Sequence, residues 1–387
     1  MLIDKLQLNA GDSVLDPFCG TGTTLVECMK RNVECVGIEA NPACVFASSV
    51  KTNWDIRSHR LLECVGDLDL SYRKHLRRFV GYKKDPAYLY LDQAGMLERG
   101  WISPEPLRKA ICLKNAIAEA RTSVHYKNVM RLALLSEVVQ GASHVKFGPQ
   151  LYCSTPKIDA DVIGGFDKRI RQIAKDLDLV SVLEHSIAKV FCGDSRNCQG
   201  ILPVKSKNTF DAVICSPPYP GEHDYTRHTR LELAFLGLVW DVYSVRRIKQ
   251  AMIRSHTKGI YKSDVEGDTV KDHPCIARLV KEIELRAREK KHGFARLYGK
   301  ATLEYFGGMK CHLRSIHALL RANGKCAYVV GDQTSYLQVH IPTAEILSSL
   351  AEAVGFEVMG IDRWRGRWST ATSRVVDENI LLLKRKG

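Results

Sequence analysis

Four short stretches of this 387-residue chain carry residue types that can do chemistry. The first is Asp16-Pro17-Phe18-Cys19-Gly20-Thr21-Gly22-Thr23-Thr24, set between the apolar run Ser13-Val14-Leu15 and a helical pattern from Leu25 to Arg31. Glycines in a strand-to-helix turn let a backbone approach a ligand closely, and the helix N-terminus adds free N–H groups and positive potential. No Lys follows Gly22, so the phosphate loop Gly-x-x-x-x-Gly-Lys-Ser/Thr does not fit. Position 25 is Leu rather than the third Gly of a dinucleotide fingerprint. What remains suits a ligand with an ammonium and a carboxylate, and S-adenosylmethionine has both. Asp16 is then placed to face the ammonium and the N–H groups around Thr23 and Thr24 the carboxylate, with Phe18, Gly20 and Gly22 shaping the turn; a purely structural turn is the other reading.

The second stretch is Cys35-Val36-Gly37-Ile38-Glu39, where an acid ends an apolar strand and can accept both hydroxyls of a ribose. The third is Gly193-Asp194-Ser195, where Asp194 can accept from an adenine amino group. Gly66-Asp67 repeats the dipeptide, but the strand before Asp194 directly precedes the fourth motif. That motif is Ser216-Pro217-Pro218-Tyr219, after Phe210–Cys215. Two prolines make a rigid turn that has lost two backbone donors. The Ser216 side chain and the Pro217 carbonyl can both accept from an exocyclic amine, with Pro218 holding the turn, and Tyr219 can stack on a base lifted out of its helix. For Glu39, Asp194 and this turn alike, a structural role is the competing reading.

These residues need a scaffold, and the pattern supplies one. Strand, helix, strand, helix follow one another up to about Thr52, with Asn41 and Pro42 opening the second helix, as in a doubly wound parallel sheet. From Trp54 to His185 the chain reads as helical, polar and mildly basic, with helical spacing from Leu107 to Gln140 and from Ile163 to Leu183. Strand patterns resume at Ala188–Cys192, Phe210–Cys215 and Cys326–Val330, and Phe356–Ile361 with Asn379–Leu383 forms a last pair. Trp364, Arg365, Arg367 and Trp368 fall between those two and read as a basic-aromatic loop. The expected domains are 1–54 and 187–387 as two parts of one α/β sheet domain, with 55–186 as a helical insert.

Together the motifs resemble the amino-directed DNA methyltransferases, S-adenosylmethionine enzymes that methylate cytosine N4 or adenine N6. Ser-Pro-Pro-Tyr is similar to the cytosine-N4 branch, where the adenine form usually begins with Asp. Asp224-Tyr225-Thr226-Arg227 with Arg230-Leu231-Glu232-Leu233 is similar to the continuation in bacterial members. The resemblance covers roughly 10–55 and 187–385. It implies a Rossmann-like class I methyltransferase sheet and direct methyl transfer after base flipping. It also implies target recognition in the insert and a cytoplasmic or nucleoid-associated protein of bacterial or phage-like origin, with a partner subunit or cognate restriction enzyme. The resemblance also implies a segment upstream of the glycine turn that helps close the cofactor site; only Met1 to Gly11 precede the first strand here, so the expectation is that the insert or a partner supplies that wall, or that the chain is shorter than its relatives. Adenine-N6 methylation, an RNA amino-methyltransferase and a catalytically weak DNA-binding subunit of a defence complex stay open as alternatives. Cytosine-C5 chemistry is disfavoured, because it needs a nucleophilic Cys where Tyr219 stands.

Composition agrees with this direction. Fifty-seven Lys+Arg against 43 Asp+Glu give a net charge of +14, which favours a polyanionic partner such as DNA. Arg73, Lys74, Arg77 and Arg78, and Arg286, Arg288, Lys290 and Lys291, are candidate phosphate contacts. The 13 cysteines are scattered with no Cys-x-x-Cys, which reads as buried reduced thiols, and no metal-ligand set is evident. There is no signal-peptide pattern and no apolar run long enough for a membrane span.

Overall fold

A computed structural model describes the chain except residues 1, 79–80, 149–150, 291–292 and 370 and the side chains of Arg78 and Lys205. Lys291 and the Arg78 side chain, both candidate phosphate contacts, therefore lie outside the described residues. The residues form two compact units. One comprises 1–41, 185–224 and 248–387; the other comprises 42–184 and 225–247.

The first unit is built on a seven-stranded sheet, here numbered in chain order: β1 (Ser13–Asp16), β2 (Glu34–Glu39), β3 (Ala188–Cys192), β4 (Phe210–Cys215), β5 (Leu320–Gly331), β6 (Phe356–Ser369) and β7 (Arg374–Arg385). Their order is β3-β2-β1-β4-β5-β7-β6. The first five are parallel, β7 is antiparallel to β5, and β6 closes the edge antiparallel to β7. This is the Rossmann-like, doubly wound α/β sheet expected from the alternating elements, with the reversal of strand direction at one edge. Every residue of β4 is buried, as a central parallel strand covered on both faces requires. The core runs from Leu15, Ile38 and Val213 to Tyr305, Phe306, Tyr328 and Phe356, under the helices Pro274–Arg288, Tyr298–His317 and Thr343–Glu352. Gly355, at φ +104°, ends the last of these and opens β6.

Gly37 bears directly on the glycine turn. It lies opposite Asp16 in the β1–β2 register. A Cβ there would sit 2.7 Å from Cys19 Sγ and 2.8 Å from Leu25 Cδ1. In the dinucleotide fingerprint a third glycine on the helix permits close helix–strand packing. Here the helix carries Leu25, and the missing side chain is on the strand. We expect Gly37→Ala to cost about 1–3 kcal/mol by overpacking, read as a lower denaturation midpoint with an unchanged slope.

The second unit is helical around Leu107, Ile111, Leu113, Met130, Leu134, Phe166 and Ile170. The periodic stretch from Leu107 to Gln140 is two helices, Pro104–Glu119 and Val124–Glu137, followed by a π-turn at Val138–Ala142. The apolar spacing runs through the break, so periodicity alone does not reveal it. The stretch from Ile163 to Leu183 is the helix Val162–Ser181. A small antiparallel ribbon, Val145–Phe147 with Leu151–Cys153, also lies here. The helix Arg230–Phe235, which buries Leu231, Leu233, Ala234 and Phe235, belongs to this unit. Among the described residues no helix is long and apolar enough to cross a membrane.

One expectation about local structure is corrected. Trp364, Arg365, Arg367 and Trp368 are not in a loop; they lie in β6, which with β7 extends far beyond the apolar segments visible in the sequence. Most of this outer part of β6 is exposed, so the alternation that marks a half-buried strand is missing.

Candidate active site

The C-terminal ends of β1, β2, β3 and β4 bring together the residues of all four motifs. In an open parallel sheet this is the edge where ligands bind, next to the point where strand order reverses. β1 is flanked by β2 and β4, with Val14 opposite Ala212 and Leu15 opposite Val213. Asp16 and the Ser216 turn therefore leave the same edge from adjacent strands.

The glycine turn is open to a ligand. Gly20 and Gly22 have φ of +51° and +85°, a region that side chains rarely adopt, and a Cβ on Gly20 would meet nothing within 4 Å. The helix Thr23–Met29 starts with Gly22 at its cap, which offers no side-chain acceptor to the first N–H groups. Thr23 is exposed and Thr24 half-buried. The Phe18 ring lies 4.8 Å from His312. That histidine is fixed between the Ser195 carbonyl and the Tyr328 hydroxyl at 2.9 Å each, and burial pushes its pKa down to about 4.

Asp16 is buried, and its carboxylate accepts from the Phe18 N–H at 3.0 Å. Burial pushes its pKa up to about 7; the Thr24 hydroxyl and the Phe18 N–H pull it back, and nearby Glu39 adds to the rise. The Glu39 carboxylate accepts from the Gly20 N–H at 3.0 Å and the Asn41 N–H at 2.8 Å. Burial raises its pKa as well. Asp194 accepts from the Arg196 N–H at 2.9 Å and is gripped by the Arg196 guanidinium at 2.6–3.0 Å. Arg196 also pairs with Glu266. Asp194 is thus neutralised, whereas Asp16 and Glu39 are two neighbouring acids with no ion pair to a Lys or Arg among the described residues. Such a site fits a ligand that brings positive charge, and S-adenosylmethionine carries a sulfonium and an ammonium. The competing dipeptide residue, Asp67, is exposed in the helical unit.

The Ser216 turn is held from below and from the side. Ser216 is exposed and Pro217 buried. Tyr219 donates from its hydroxyl to Glu378 on β7 at 2.7 Å and stands 3.4 Å from Ser216 Oγ. Its ring packs where a Cβ on Gly331 would come within 3.0 Å. Glu378 is buried and also takes the Arg365 guanidinium, and Arg367 lies over the Tyr219 ring at 5.9 Å from its centroid. Beyond the turn, the N–H groups of Gly221 and Glu222 donate to the Ser255 carbonyl, and Asp224 pairs with Lys249 at 2.5 Å. Cys215, just before the turn, is fully enclosed, and burial raises its thiol pKa far above the ordinary range. A thiol so held is a poor nucleophile.

Sequence reading missed three participants. Arg196 is the most accessible, an Arg two residues after an Asp in a turn. Gly37 carries no local signal. Glu378 meets Tyr219 only through the β5–β7 pairing.

A mostly parallel sheet with a reversed edge, a glycine turn with an acid before it, and Ser-Pro-Pro-Tyr following the adjacent strand are consistent with a Rossmann-like methyltransferase fold. A family model described as a DNA methylase, of the N6/N4 methyltransferase type, matches residues 1–48. The chain is similar over most of its length to Type II methyltransferases. It is 24% identical to M.AvaI of a Nostoc species, covering 92% of this chain and 76% of that protein. It is 25% identical to M.BsoBI of Geobacillus stearothermophilus, covering 93% and 76%. With M.MvaI of Kocuria varians it shares 27% identity over 65% of this chain and 57% of the relative. The chain is thus similar to the amino-directed DNA methyltransferases, and that similarity implies S-adenosylmethionine as cofactor.

Proposed function

We propose that this protein transfers a methyl group from S-adenosylmethionine to the exocyclic N4 of cytosine in DNA, after the base has been flipped from the duplex. The observation that carries the proposal is an exposed Ser216 at the end of β4, beside the Asp16 turn on β1. The similarity to Type II methyltransferases supports the DNA substrate, and the serine at the head of Ser-Pro-Pro-Tyr supports cytosine.

Bound S-adenosylmethionine supplies an electrophilic methyl on a good leaving group, so the chain's own work is positioning and exclusion of water. Asp16 would face the ammonium, the N–H groups at Thr23 and Thr24 would face the carboxylate, Glu39 would take the ribose hydroxyls and Asp194 the adenine side. Ser216 Oγ and the Pro217 carbonyl accept the two amine N–H bonds and turn the nitrogen lone pair toward the methyl. Ser216 is no strong base, and the amine loses its proton during or after transfer. Tyr219, its hydroxyl anchored on Glu378, presents its ring to the flipped base. We assign target recognition to the 55–186 insert. We further place the enzyme in a bacterial or phage-like cytoplasm or nucleoid, where a cognate restriction enzyme would accompany a Type II activity.

The test is incubation with labelled S-adenosylmethionine and unmethylated genomic DNA, followed by digestion to nucleosides. N4-methylcytosine is the expected product. N6-methyladenine would overturn the base assignment and keep the chemistry. Bound cofactor with no label on DNA would point to RNA or a missing partner. Absence of cofactor binding would point to a DNA-binding subunit.

A further inference from the structure

The two longest strands rise past the catalytic edge. β7 pairs with β5 as far as Glu378, opposite Gly331. Beyond it, 366–369 and 374–377 pair only with each other as strands. Four paired positions carry this ribbon about 13 Å past the end of β5, on the edge that holds Ser216.

Its two faces differ. Arg365 and Arg367 share one face with their cross-strand partners Glu378 and Val376. That face holds Tyr219, through Glu378 and the Arg367 guanidinium, which also donates to the Asp332 carbonyl at 3.2 Å. The opposite face carries Trp368 across from Val375, 62% and 57% exposed. Trp364, at the bulge where the register shifts, is 40% exposed, with Arg365 4.6 Å from its ring centroid. From Arg363 to Val375 the sequence has four arginines, two tryptophans and no acid. Asp377 and Glu378 on the return strand neutralise Arg363 and Arg365. Among the described residues neither Arg367 nor Arg374 has a carboxylate partner, and Arg367 Nε is buried without an acceptor.

Flat aromatic faces among uncompensated guanidinium groups complement a polyanion that also offers flat surfaces, which is nucleic acid. We propose that the β6–β7 ribbon grips the duplex beside the target nucleotide, with Arg374 on phosphate and Trp364 and Trp368 against the neighbouring base step. The Arg365–Glu378–Tyr219 chain joins that grip to the catalytic turn. This rests on the DNA-methylation reading above.

The test uses the full chain with Trp368→Ala and Arg374→Ala, two exposed positions outside the cofactor site. Anisotropy of a labelled mixed-sequence duplex is followed across salt concentrations, alongside methyl incorporation into genomic DNA. Each variant should bind DNA about tenfold more weakly, and Arg374→Ala should lower the salt slope by about one. KM for DNA should rise in parallel, with S-adenosylmethionine affinity unchanged. Wild-type affinity and slope in both variants, while the wild type methylates DNA, would overturn the ribbon's role alone. A wild type that neither binds nor methylates DNA would overturn it together with the reading it rests on. A variant that sediments as a smaller species would make the ribbon a contact between subunits and overturn the proposal.

Discussion

Replacing Ser216 with alanine is expected to lower methyl transfer to DNA by about two to three orders of magnitude while S-adenosylmethionine binds as before. A single oriented hydrogen bond in a preorganised site is worth about 3–4 kcal/mol of transition-state stabilisation. Ser216 is the exposed residue of the turn, directly after β4. Its removal should leave the turn in place, because the turn is fixed elsewhere. Pro217 is buried, Tyr219 is anchored at 2.7 Å on Glu378, and the contact between Tyr219 and Ser216 is a long 3.4 Å. The loss should therefore fall on kcat rather than on cofactor affinity, since the amine is still bound by the Pro217 carbonyl but less well aimed. Isothermal titration with S-adenosylmethionine and single-turnover transfer measured side by side make the check. Equal losses in both would show that Ser216 supports the cofactor site, and the role given to it would fail.

What could be read in advance depended on the range of the interactions. The glycine turn and Ser216-Pro217-Pro218-Tyr219 were legible because glycine and proline dictate backbone shape locally. β1, β2 and β4 were legible because largely buried parallel strands are short apolar runs, and the edge strand β3 was legible from the short run around Val190 and Phe191. The final strand pair was legible only where it lies against the sheet. Phe356 and Leu383 are fully buried, but Trp364, Arg365 and Trp368 are exposed, and because the inner face of the ribbon is built from Arg365, Arg367 and Glu378 no apolar alternation marks it. The place of 225–247 beside 42–184 rests on what Leu231, Leu233 and Phe235 bury, which no local pattern specifies. The partners of the site residues were the least accessible. Tyr219 reaches Glu378 through a strand pairing far along the chain, and the room beside Leu25 comes from Gly37 on the neighbouring strand. Asp194 follows β3 at the same edge as Asp16 and Glu39, yet its hold by Arg196 is tertiary in consequence, because the same guanidinium also reaches Glu266 and the Gln250 carbonyl.

Asp16→Asn should change stability and cofactor affinity in opposite directions. The folded chain raises the Asp16 pKa to about 7 from 3.8, chiefly by burial. Between those values the folded state keeps a proton that the unfolded state has lost, so this group lowers stability as pH rises from about 4, with the penalty complete above about 7. Asparagine keeps an oxygen for the Phe18 N–H and carries no charge to desolvate. The ligand-free variant should therefore melt higher than the wild type at pH 8 and close to it at pH 4. On the role proposed for Asp16, S-adenosylmethionine would need the ionised carboxylate opposite its ammonium. Its affinity for the wild type should rise about tenfold per pH unit below about pH 6, bend through about 7 and then level, with a proton released on binding at the low end. In the variant this pH dependence should disappear and affinity at pH 7.5 fall about a hundredfold, as the loss of one partner of a buried charge pair implies. Calorimetric titrations in buffers of different ionisation enthalpy report the proton directly. A variant that binds S-adenosylmethionine as the wild type does, with the same pH profile, would remove Asp16 from the cofactor site and leave Glu39 as the acid that meets the ligand's charge.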